Sequence, residues 1–223
     1  MPDPATTRLP AWKTHLPNAL TLVRVALAAA LFAIITLAIG PPDALAGLTH
    51  DARWLFLATG IFSIAALTDA LDGYFARRWH VVSPLGRVMD PFADKILILG
   101  SFICLAGHDF HTAQGVTISG VTPWIAIVIL ARELLVTTIR GVYEAAGVDF
   151  SANRAGKWKM ILQCAAIPAI FLILAFFPAL PGSTARTFIL GLVWITLAVT
   201  VWSGIPYVSR AIRSSGKLGN KVP

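Results

Sequence analysis

Long apolar runs leave this chain few folds to choose from. Hydropathy marks six of them, at about 19–40, 54–76, 86–106, 121–143, 157–178 and 186–208, each near the roughly 20 residues that a helix needs to cross a hydrocarbon core of about 30 Å. A membrane barrel would instead show short segments of alternating hydropathy. The expected fold is therefore all-α: a polytopic membrane protein with six transmembrane helices. Composition agrees, since only 13% of the 223 residues are charged and 57% are hydrophobic, whereas a soluble domain carries about 25% charged residues. The net charge of +7 is placed around the apolar runs, so it points to anionic lipid and phosphate as partners and not to nucleic acid. Cys104 and Cys164 fall inside apolar runs and read as small core hydrophobes.

The chain reads as a single membrane domain, 1–223, with an N-terminal segment 1–17 and a basic tail 209–223 that is expected to be mobile. Gly40-Pro41-Pro42 and the stretch from Pro178 to Gly182 are turn chemistry. Connections after the first, third and fifth runs hold only Arg53 and Arg186, while Arg8, Lys13, Arg77, Arg78, Arg87, Arg154, Lys157, Arg210, Arg213, Lys217 and Lys221 gather on the other side. That bias predicts a multi-pass protein of the inner, cytoplasmic cell membrane with both termini cytoplasmic. A cleaved leader ending near Ala44-Leu45-Ala46 is the competing reading; it would need an unusually long leading region and would set the basic tail against the charge pattern.

Against this apolar background, four of the eleven acidic residues fall within 26 positions: Asp69, Asp72, Asp90 and Asp94. On a helix, Asp69, Asp72, Gly73 and Ala76 share an arc of about 100°, and Asp90 and Asp94 are neighbours one turn apart. A hairpin through Arg78 to Pro84 can bring the four carboxylates together. Ile96 to Ala106 spans only about 16 Å of helix, so the third run must draw Asp94, and Asp90 with it, into the membrane to cross. Carboxylates at that depth line hydrated cavities, and four together repel unless protons or cations are shared among them. All-oxygen ligation suits a hard divalent ion, Mg²⁺ or Mn²⁺, and four carboxylates can bridge two ions.

The residues Asp69-x2-Asp72-Gly73-x2-Ala76-Arg77-x8-Gly86-x3-Asp90-x3-Asp94 resemble the signature of the CDP-alcohol phosphotransferases, integral membrane enzymes of phospholipid biosynthesis, and match it at all eight fixed positions. The resemblance implies that family's fold: a six-helix bundle, usually a homodimer, with a binuclear metal site open to the cytoplasm. It further implies transfer of a phosphatidyl-type group from a CDP-linked donor to an alcohol, releasing CMP. Leu16-Pro17-Asn18 with Thr21 and Arg24, Arg132-Glu133-Leu134 with Arg140, and Gly156-Lys157-Trp158-Lys159 with Gln163 resemble the phosphatidylglycerophosphate synthase branch. One departure is Met160, where that branch commonly has Thr. By this resemblance CDP-diacylglycerol is the donor and sn-glycerol 3-phosphate the acceptor. Asp69, Asp72, Asp90 and Asp94 are then the metal ligands, with Asp94 also the catalytic base. Asn18, Thr21, Asp72, Gly73, Ala76 and Arg77 meet the donor.

An anionic acceptor also follows from charge placement. Arg132 and Glu133 come directly after the apolar run Val121 to Ala131, and an arginine that deep needs an anion or a cavity. Arg140 and Lys157 lie nearer the mouth, where they can hold a phosphate with Arg132. The plainer alternatives are an Arg132–Glu133 ion pair and, for Arg140 and Lys157, ordinary positive-inside anchors. Arg24, Lys159, Arg210 and Arg213 read as headgroup anchors, the histidines at 80, 108 and 111 as solvated, and Trp12, Trp54, Trp124 and Trp202 as interfacial belts. Phosphoinositol, serine and phosphatidylglycerol stay open as acceptors. A divalent-cation transporter would also bury carboxylates, but it has no need of Gly73 and Ala76, and Arg77 would oppose cation entry.

Overall fold

The computed structural model describes residues 11–39, 51–79, 84–112, 115–147, 154–177 and 181–218, with side chains described within 18–39, 51–69, 95–112, 115–147, 155–177 and 181–213 and at 71, 92 and 93. Six long helices are found among them: α1 Ala11–Ile34, α2 Ala52–Trp79, α3 Pro84–Leu105, α4 Pro123–Ala145, α5 Arg154–Phe176 and α6 Thr184–Leu218. Each coincides with one of the apolar runs. The stretches Asn18–Ile39, Ala52–Asp69, Ala155–Phe176 and Thr184–Arg213 are long and apolar enough to cross a membrane. In α3 the apolar part is only Lys95–Leu105, and Arg132, Glu133 and Arg140 interrupt the apolar surface of α4. The proposed turn at Gly40-Pro41-Pro42 lies outside the described residues. Gly182, at the other proposed turn, has φ +83° and sits in a turn.

Packing follows the helical period. Ala28, Leu31 and Ile35 on the first helix and Leu55, Ala58, Phe62 and Ala65 on the second recur at three- and four-residue steps and are all buried. They meet Leu97, Phe102 and Leu105 of α3 and Ile167, Ile170 and Phe171 of α5 in one continuous core. The first helix packs on α2 and α3, α2 on α5, α5 on α6, and α6 on α4. Leu37, Ile127, Phe188 and Ile212 point outward and are exposed, an apolar exterior suited to lipid and a liability in water.

At the end of α3 away from the acidic motif, residues 106–112 and 115–122 form a packed cap. Phe110 is buried against Phe171, with ring centroids 6.3 Å apart. The Ser119 hydroxyl donates to the Leu105 carbonyl (2.5 Å) and accepts the Val121 N–H (3.2 Å). Arg186 donates to the Thr117 carbonyl at 2.8 Å, so the one basic residue between the fifth and sixth runs pins this cap. Gly120 has φ +68°, and a Cβ there would come within 3.1 Å of Ile189; only glycine permits this approach to α6.

The tail expected to be mobile from Ser209 is helical to Leu218. Hydropathy falls there because the chain leaves the apolar region, but Tyr143 donates to the Ala211 carbonyl at 2.6 Å, and Tyr143, Tyr207 and Val136 form a second buried cluster that holds α6 on α4.

Candidate active site

The acidic motif lies on α2 and α3. Asp69, Asp72, Gly73, Ala76 and Arg77 occupy the last three turns of α2, and Gly86, Asp90 and Asp94 the first three of α3. Pro84 opens α3, where its missing N–H is no loss. The side chains of Asp72, Ala76, Arg77, Asp90 and Asp94 lie outside the described ones, so helix position alone places them on one end of the bundle. Asp69 is fully described. Its Oδ1 is 2.6 Å from Nη1 of Arg24, whose side chain is buried while that of Asp69 is 26% exposed. Both residues border a cavity of about 400 Å³ between α2, α3 and α5, walled mainly by Ala66, Leu97, Ile98, Met160 and Cys164. It is polar where Arg24 and Asp69 stand and apolar elsewhere.

Asn18 and Thr21 precede Arg24 on the first helix, one half-buried and the other fully buried. Among the described residues no three His, Cys, Asp or Glu side chains converge; of the motif's four carboxylates only Asp69 is among them. The donor set fits a hard divalent cation: it is carboxylate oxygen alone, at one-turn spacing, with Asp69 partly open beside the cavity.

A second polar cluster joins α4, α5 and α6. Glu133 Oε1 accepts from Arg132 at 3.0 Å and from Lys159 Nζ at 2.5 Å. Arg132 also donates through Nε to the Thr200 carbonyl (3.1 Å) and through Nη2 to Ser203 Oγ (2.8 Å), which commits three of its five N–H groups to the protein. The Arg132 side chain lies against Gly204 of α6, where an added Cβ would be in ordinary van der Waals contact, 3.4 Å from its Cγ. Gln163 donates to Thr200 Oγ1 at 3.0 Å, while its own Oε1 is buried without a hydrogen-bond partner among the described residues. It borders a space of about 10 Å³ shared with Lys95, Glu133 and Lys159, room for one water.

Arg140 pairs with Glu144 one turn on, at 3.2 Å, and both are substantially exposed; Lys157 is exposed at the start of α5. Arg24 and Lys159, expected as headgroup anchors, are instead buried and ion-paired. Lys95 went unnoticed in the sequence. It donates to Thr137 on α4 at 2.5 Å, and its signal was a charge opening an otherwise apolar stretch beside Asp94.

The sequence profile of CDP-alcohol phosphatidyltransferases matches residues 14–202, and the chain belongs to that family. Its relatives include the CDP-diacylglycerol–glycerol-3-phosphate 3-phosphatidyltransferase of Bacillus subtilis, 34% identical over 88% of this chain and 94% of that protein. The enzyme of the same name from Mycoplasma pneumoniae is 33% identical over 70% of this chain and 67% of its own length. A CMP-forming cardiolipin synthase of rice is 30% identical over 73% of this chain and 51% of the rice protein.

Proposed function

We propose that this enzyme transfers the phosphatidyl group of CDP-diacylglycerol to sn-glycerol 3-phosphate, forming phosphatidylglycerophosphate and CMP. The observation that carries the reading is Asp69: a carboxylate of the family motif at the edge of a cavity that is charged at one end and apolar along its walls. Such a space suits a substrate with a diphosphate head and a lipid tail. Asp69, Asp72, Asp90 and Asp94 would hold two Mg²⁺ or Mn²⁺ ions, which would supply positive charge to neutralise the diphosphate and stabilise CMP as it leaves. Asp94 takes the proton of the acceptor hydroxyl as its oxygen attacks the lipid-side phosphorus in line with the departing CMP. Gly73 and Ala76 leave room for the nucleotide, and Asn18, Thr21, Asp72 and Arg77 bind it.

Arg140 and Lys157, with Arg132 deeper in the bundle, bind the acceptor's phosphate. Arg132 acts as a fixed positive charge, because α6 and Glu133 hold its guanidinium in place. In this reading α3 and α4 also cross the membrane, giving six spans in one domain. Both termini face the cytoplasm, the protein resides in the inner membrane, and it works as a homodimer. The similarity to the rice enzyme supports a second reading, in which phosphatidylglycerol is the acceptor and cardiolipin the product.

One assay separates them: purified protein, labelled CDP-diacylglycerol and Mg²⁺, with CMP release followed over a panel of alcohols. Glycerol 3-phosphate is expected to react best and free glycerol poorly. Preference for phosphatidylglycerol, serine or a phosphoinositol would move the acceptor assignment within the family, and no CMP release with any alcohol would end the transferase reading.

A further inference from the structure

Arg24 is the largest fully buried side chain described. A guanidinium removed from water is tolerated only when paired, and its Nη1 lies 2.6 Å from Asp69 Oδ1. The helix bearing it has no freedom to turn the charge outward. Thr21, Ala28 and Leu31, one and two turns away on the same face, are buried too, so rotating Arg24 toward lipid would unpack that whole stripe. Asp69, in contrast, remains partly open to the cavity. One oxygen of this carboxylate therefore faces the Arg24 guanidinium from the α1 side before any ligand arrives.

We propose that Arg24 is a positioning residue: it orients the Asp69 carboxylate for a divalent cation and keeps its contact when the cation binds. This rests on the reading of Asp69, Asp72, Asp90 and Asp94 as metal ligands. Partners that orient ligating groups in this way typically contribute about 10–100-fold to metal affinity.

The test is Mn²⁺ titration of the detergent-purified full chain without substrates, with free Mn²⁺ read by electron paramagnetic resonance. Size-exclusion profile and helical circular dichroism verify that each variant is folded. Arg24→Gln is expected to weaken Mn²⁺ binding by about 10–100-fold, with Arg24→Lys between it and the parent. A folded Arg24→Gln protein that binds Mn²⁺ with less than about a threefold loss, or more tightly, overturns the proposal, since a contact serving stability alone leaves affinity in the folded protein unchanged. If Arg24→Gln does not fold, Arg24→Lys decides by the same threefold margin, because lysine keeps the charge but loses the fork. Asp90→Asn separates the two levels. If the parent binds no Mn²⁺, or Asp90→Asn binds it as well as the parent, the metal reading itself fails. If Asp90→Asn loses binding and the Arg24 variants do not, only the role of Arg24 falls.

Discussion

Among the described residues two arginine–carboxylate pairs are buried in the bundle, and they differ in what surrounds the carboxylate. Asp69 meets Arg24 while opening on a cavity of about 400 Å³. Glu133 is only 12% exposed, takes bonds from both Arg132 and Lys159, and faces a space of about 10 Å³. Counted as charges among the described side chains, the first region sets one arginine against one carboxylate, and the second sets two cations against one carboxylate. The first is balanced and open to a ligand and the second carries a fixed positive surplus in a closed space; on the proposed reading the further carboxylates of the motif turn the first toward a cation, and the surplus turns the second toward an anion.

The sharpest way to break this contrast is to neutralise the open region. Asp90→Asn is expected to abolish CMP release while the protein still inserts and purifies, Asp69→Asn to abolish it with a loss of stability because buried Arg24 loses its counter-charge, and chelation of divalent metal should stop release as well; full turnover in chelator would remove the metal from the mechanism. Next in size, Asp94→Asn should retain CDP-diacylglycerol binding and lose roughly 10²-fold or more in turnover, as removal of a general base does. Normal turnover in that variant would reassign Asp94 to a structural part.

The closed region should answer in stability. Glu133→Ala leaves Arg132 and Lys159 buried without their counter-charge and is expected to cost about 3–5 kcal/mol, read as a lower unfolding midpoint in micelles. A Glu133→Ala protein as stable as the parent, with acceptor affinity lost, would make Glu133 part of the substrate site instead. At the mouth, Arg140→Ala or Lys157→Ala should raise the KM for glycerol 3-phosphate more than that for CDP-diacylglycerol, by about tenfold. That is the low end of a charged hydrogen bond's contribution, because both side chains are solvated. Equal changes in both KM values would argue against an acceptor site there.

The smallest effect belongs to Asp51 and Arg53, an exposed pair at the start of α2. The hydrogen bonds from the Arg53 side chain and backbone N–H hold the Asp51 carboxyl below its ordinary value. A lowered carboxylate pKa adds stability that is present at neutral pH and lost as pH falls through the folded value. Asp51→Asn should thus leave the unfolding midpoint at neutral pH almost unchanged, with the parent approaching the variant in acid.

Much of this architecture was legible because the apolar runs end where polar residues and turn formers begin, and because charge is conspicuous in such a chain. The motif on α2 and α3, and the Arg132–Glu133 pair given as the plain alternative, were visible on those grounds. Arg24 and Lys159 were misread for a physical reason. In a helix with lipid on one side and protein on the other both faces are apolar, so the periodicity that marks the buried face of a soluble helix loses contrast. A charge near the end of such a run looks like an anchor unless its rotational phase is known. The phase was decided by Thr21, Ala28 and Leu31 packing inward, and for Lys159 by Glu133 on another helix, neither of which a single run discloses. The extension of α6 to Leu218 likewise depends on Tyr143, 68 residues before the Ala211 carbonyl it holds.

The cap formed by residues 106–112 and 115–122 bears on where product goes. Phe110, Ser119, Gly120 and Arg186 tie the described residues of that end to α3, α5 and α6, whereas the cavity beside Asp69 opens toward the other end. On the proposed reading glycerol 3-phosphate arrives, and CMP departs, by the end that carries Asp69, and the new headgroup is formed on that side. A catalyst built this way enriches one leaflet only. Growth of the opposite leaflet then depends on a separate step that carries finished lipid across, and the rate of that step, not of this enzyme, sets how evenly the two faces of the membrane expand.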